Sequence, residues 1–176
     1  MTVDFHLTNR EQRDAVFASL DKQILVATSV EVPADVLRFI RSVKIVVDPQ
    51  MLSMMTNGEY RDRDTPPYVR IKPIELPEER AIVLHELMHA YHHQILHYVS
   101  GDIDGAFARA RLPGVYPAEF KDAAFLHDSR EYFANMATTF LLGKSERPPF
   151  SCSIITQAQP KFVAFLTSMF GPHPCH

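Results

Sequence analysis

Four histidines and one glutamate crowd into residues 83–96, VLHELMHAYHHQIL, a stretch otherwise composed like a buried helix. Within it His85, Glu86 and His89 have the spacing HExxH. Residues four apart on an α-helix share a face, so both imidazoles can point a ring nitrogen at one ion. Glu86 follows about 100° around the helix from His85. That puts a carboxylate beside the ion without making it a ligand. There it can take a proton from a water polarised by the metal and pass it to a leaving amine, the chemistry for which zinc peptidases use this spacing. Apolar Leu84, Leu87 and Met88 surround the motif, as expected for a helix buried behind a cleft. The plainer alternative is a helix whose histidines are only hydrogen-bonded.

The other nearby histidines, His92, His93 and His97, do not extend the motif. His92 can share the face of His85, but one helix does not readily wrap three ligands around one ion. The longer HExxHxxGxxH pattern needs Gly and His where this chain has His92 and Ile95, so that group of zinc peptidases is excluded. A structural or surface role is expected for all three. A catalytic zinc takes three protein ligands and leaves one position open. The polar candidates after His89 are Asp102, Asp104, Glu119, Asp122, His127, Asp128 and Glu131. Glu131 stands out because it opens an apolar helix, EYFANMATTFLLG. There it either faces solvent, as an acid favoured by the helix dipole, or is held inside by a partner.

Several elements must position these groups. TNREQRDAVFASLDKQ (8–23) reads as a helix that Thr8 or Asn9 can cap, and PADVLRFIRS (33–42) as a second with Pro at its start. VKIVVD (43–48) and YVRIK (68–72) read as strands. The polar stretch between them, 56–67, reads as a loop. One long helix is expected from Pro77 to Gly101, with Glu78 and Glu79 in its first turn. Shorter ones follow in DIDGAFARARLPG, in DSREYFANMATTFLLG between Asp128 and Gly143, and in TQAQPKFVAFLTSMFG. The expected fold is α+β, mostly helical, with a small mixed sheet. Residues 1–176 form one domain in this reading, with 1–32 as an N-terminal helical extension.

The 176 residues suffice for one hydrophobic core, and 46% hydrophobic with 22% charged residues is ordinary for a globular chain. A formal charge of −3 without a Lys/Arg block argues against nucleic-acid binding. No apolar run is long enough to span a membrane. The first fifteen residues carry no apolar signal core. Spacing alone leaves Cys152 and Cys175 open between a disulfide and two free thiols.

HELMHAYHH, AFARARLPGVYP, REYFANMATTFLLGKSERPPF and QPKFVAFLTSMFG together resemble the lethal-factor-like zinc metallopeptidases, a gluzincin-type group that includes the Pro-Pro endopeptidases. The likeness spans roughly residues 35 to 171. Its most specific parts are HExxH and the E-Y-F-A box 42 residues after His89. It implies a zincin-like fold, one zinc ion held by His85, His89 and Glu131, Glu86 as general base, a peptide or protein substrate, and secretion or delivery to a host. The chain departs from the group at two positions. A Tyr seven residues before the ligand Glu commonly supports the oxyanion, and here that position is Ala124. An acidic residue often follows four after the ligand, and here that position is Asn135. Tyr116 and His127, in the intervening segment, are the candidates for the missing donor, each with a structural alternative. The missing Tyr also admits a second reading, a zinc-binding but catalytically weak or inactive effector-like domain that grips a protein partner.

Overall fold

The computed structural model describes residues 3–5, 10–172 and 175. Thr8 and Asn9, the expected caps of the first helix, lie outside the described residues. Strands β1 (Val3–Phe5), β2 (Ile45–Val47), β3 (Gly58–Arg61) and β4 (Tyr68–Ile71) make one mixed sheet in the order β1-β2-β4-β3. β2 runs parallel to both β1 and β4, whereas β3 is antiparallel to β4. The helices are α1 (Arg10–Thr28), α2 (Ala34–Ser42), α3 (Ile82–Gln94), α4 (Gly101–Ala110), α5 (Ser129–Leu142), α6 (Cys152–Ala158) and α7 (Pro160–Phe170). The fold is therefore α+β, mostly helical, with a small mixed sheet in one domain. Segment 1–32 supplies β1 to that sheet, and its helix α1 buries Val16, Leu20 and Ala27 in the common core.

α3 is the central element. Val83, Leu84, Leu87, Met88 and Ala90 have no exposed surface, because the sheet and α1 cover one side of the helix and α5 another. It is shorter at both ends than the sequence suggests. The amide of Gln23, reaching in from α1, donates to the carbonyls of Pro77 (3.1 Å) and Arg80 (2.6 Å) and accepts from the Val83 N–H (3.4 Å). The helix thus begins at Ile82 with a borrowed cap that satisfies one of its orphan donors. Glu78 is drawn off instead to the Lys22 ammonium. At the other end His97 and Tyr98 adopt left-handed φ values of 52° and 57°, which ends the helix well before Gly101.

Two further boundaries differ from the sequence reading. Residues 58–61 form β3 rather than loop. The strand is paired along β4, and Glu59 bonds across it to the Arg70 guanidinium, while Tyr60 is the only large apolar side chain it offers the core. One apolar residue in four gives no alternation to detect. The last expected helix is two, α6 and α7, broken at Gln159, whose φ/ψ of −138°/54° is not helical. Pro160 then opens α7, a position that suits its missing N–H. Cys152 and Cys175 form a disulfide.

Candidate metal centre

α3 and α5 meet where the first turn of α5 faces the middle of α3. The Asp128 side chain accepts from the N–H groups of Arg130 (2.7 Å) and Glu131 (3.4 Å), which caps α5 and fixes the turn that carries Glu131. The Glu131 Oε1 lies 3.3 Å from His89 Nε2 and its Oε2 lies 3.4 Å from His85 Nε2. The two Nε2 atoms are 3.1 Å apart, with the rings edge to face. These donors form the group suited to a metal among the described residues. A tetrahedral ion with bonds of about 2.1 Å spans its ligand atoms by about 3.4 Å. The two Nε2 atoms, 3.1 Å apart, and the carboxylate, one oxygen 3.3 Å from His89 and the other 3.4 Å from His85, are spaced as such an ion requires.

The electrostatics of the bare triad point the same way. Burial acts to raise the Glu131 pKa, but the two imidazoles outweigh it and hold the carboxyl far below the usual range. Burial lowers that of His89, yet Glu131 and Glu86 together raise it above an ordinary imidazole. The fold has concentrated an anion and two nitrogen lone pairs where a cation removes the conflict. Asn135, one turn after Glu131, donates from Nδ2 to the Glu131 carbonyl (2.8 Å) and to its Oε2 (3.2 Å), so it orients the carboxylate.

The triad and Glu86 line a cleft of about 540 Å³ between α3, α5 and β3. Glu86 is 7% exposed, and β3 closes over it at Gly58. A Cβ on Gly58 would stand 2.8 Å from Ile82 Cγ2 and 2.9 Å from Glu86 Cγ, so only glycine lets the strand come this near. Among the described residues the outer edge of β3 has no partner strand, whereas β2 and β4 each have a neighbour on both sides.

Tyr116 and His127 are not among the residues that line this cleft. Tyr116 is buried and directs its hydroxyl to Met136 Sδ (3.4 Å), while His127 is exposed and bonds through Nε2 to the Lys121 carbonyl (2.8 Å). His92 packs between Tyr98 and Phe133, His93 Nδ1 meets the Tyr60 hydroxyl at 2.8 Å, and His97 is exposed, so none of the three joins the triad. The sequence reading missed a group at one end of the cleft. Tyr98 donates its hydroxyl to Asp62 Oδ2 (3.0 Å), and Arg130 reaches the same oxygen (3.1 Å) while lying 4.3 Å over the Tyr98 ring. Burial first, then the Asp62 carboxylate, raise the Tyr98 pKa and keep the phenol protonated. Three separate elements supply this group, and no local spacing announces it.

No family model matches the chain, and no curated protein sequence matches it. A solved structure does: the Pro-Pro endopeptidase from Paenibacillus alvei has a TM-score of 0.55 and 18% identity, over 95% of this chain and 94% of that one. At that identity the likeness extends to the fold alone, helices about a small mixed sheet.

Proposed function

We propose that the chain is a zinc-dependent endopeptidase. The observation that carries this reading is the convergence of His85, His89 and Glu131 to within bonding reach of one ion, with Glu86 beside them in an open cleft. The Pro-Pro endopeptidase named above is a peptidase and shares the fold. Zinc, when bound, supplies Lewis acidity toward water and toward the scissile carbonyl. His85, His89 and Glu131 would hold it. Glu86 takes the proton of the attacking water and returns it to the leaving amine as the C–N bond breaks. An extended substrate adds beside the outer edge of β3, since β2 and β4 are paired on both sides. Tyr98 is our candidate for the oxyanion donor in place of the residue absent at Ala124, its one hydroxyl proton turning from Asp62 to the substrate, while Arg130 keeps Asp62 paired.

The test is hydrolysis of a proteome-derived peptide library by zinc-loaded protein. Glu86→Gln abolishes cleavage while native mass spectrometry still finds one zinc; a variant as fast as the parent rejects the mechanism. Tyr98→Phe lowers kcat about a hundredfold at unchanged zinc content, and an unaltered kcat removes Tyr98 from the role.

A further inference from the structure

Five arginines line the cleft, and they are not equivalent. Arg130 is committed to Asp62, and Arg61 to Asp64 and Glu59. Among the described residues no carboxylate lies within ion-pairing distance of Arg63, which follows β3 near Asp62, and the same holds for Arg80 and Arg147. Arg80 and Arg147 lie away from the Tyr98–Arg130 end. Arg80 precedes the first turn of α3, whereas Tyr98 follows its last. Arg147 follows the last turn of α5, whereas Arg130 is in its first. This end of the cleft also contains Thr138, two turns along α5 from Glu131 and on the same face. A helical threonine ordinarily bonds back to a carbonyl three or four residues earlier. The Thr138 hydroxyl is buried without a partner, and the residue is only 4% exposed. The exposed Glu146, next to Arg147 in sequence, also lines the cleft.

We propose that this end of the cleft is a subsite for an acidic side chain of the peptide substrate, received by the Arg80 and Arg147 guanidinium groups and the Thr138 hydroxyl. The inference rests on the peptidase reading for the word substrate, but the subsite stands or falls on its own. A carboxylate is the ligand class that satisfies all three: it pairs with both cations and accepts from the hydroxyl. A basic or purely apolar side chain leaves the Thr138 hydroxyl orphaned and sets the two cations against a like charge or against nothing.

Two readouts test it, both on the zinc-loaded full chain. In the first, cleavage products of a peptide library show Asp and Glu enriched at one fixed position relative to the scissile bond. Arg80→Glu/Arg147→Glu transfers that enrichment to Lys and Arg. In the second, fluorescence anisotropy measures binding of a labelled Glu-containing peptide and its Lys-substituted counterpart. The parent prefers the Glu peptide at least tenfold, and the charge-reversed variant loses the preference. Arg38→Glu/Arg41→Glu, the same charge change on the exposed side of α2, leaves it intact. Preferential binding of the Glu peptide without any cleavage upholds the subsite and rejects the peptidase. Cleavage without acidic enrichment, a profile unmoved by reversal, an equal loss in the α2 variant, or no preference in either readout overturns the subsite.

Discussion

Burial holds the His92 imidazole down at about 4, reinforced by the neighbouring His89, Arg130 and His93 charges and only partly opposed by Asp128. Its Nδ1 has no partner, and Phe133 and Tyr98 close around the ring. The folded chain therefore refuses a proton that the unfolded chain accepts below about 6.5. Stability from this residue is complete above pH 6.5 and declines as pH falls toward 4, by about 3 kcal/mol across that interval. Urea titrations of metal-free protein at a series of pH values measure it. His92→Phe keeps a ring in place and flattens the slope; an unchanged slope assigns the acid sensitivity elsewhere. The same stretch of sequence thus holds imidazoles with opposite tasks. His85 and His89 were legible as a pair because four-residue spacing is a local property of one helix. Glu131 was not legible in that way, since periodicity says only that an acid heads an apolar helix. Its place opposite both rings depends on how α5 packs against α3, which the resemblance anticipated and local patterning did not.

At the scale of elements, the site depends on a strand that resembles a loop in sequence. β3 must lie against α3 closely enough to form one wall of the cleft, and Gly58 permits that approach. Gly58→Val forces Ile82 or Glu86 to give way. A displacement near 1 Å at a catalytic group costs about a hundredfold in rate. The expected result is a kcat lowered by that order with zinc still bound, because the three ligands lie on α3 and α5 rather than on the strand. Rates equal to the parent would mean that Glu86 does not depend on the strand for its position. Glycine followed by charged residues conceals such an element, since an edge strand needs only one buried side chain, here Tyr60, and draws the rest of its pairing from β4. The break at Gln159 was signalled by Pro160, yet the flanking apolar residues run on smoothly enough to read as one helix. The Asp62–Tyr98–Arg130 group gave no signal, because its members come from three elements that only the tertiary fold unites.

Taken whole, the molecule secures α5 at both ends and by different means. Its first turn is drawn to α3 through Glu131, and its last turns pack against the disulfide, whose sulfurs lie 3.9 Å from the Thr139 carbonyl and 3.6 Å from that of Phe140. Cys152 and Cys175 are separated by 23 positions, and closing a loop of that size removes about 3 kcal/mol of unfolded-chain freedom in the entropic account. The crosslink is therefore expected to support global stability while leaving the ligand triangle to local packing at the opposite end of α5. Reducing the bond, or replacing both cysteines with serine, should lower Tm by roughly 6–12 °C in a chain of this size. Zinc affinity, read by competition with a chromophoric chelator, should stay within about threefold. Scanning calorimetry of oxidised and reduced protein, both free of metal, tests the first part without the stabilisation that a bound ion adds. A large loss of zinc affinity on reduction would mean that the two ends of α5 are coupled, and that Glu131 is positioned by the crosslink as well as by the Asp128 cap.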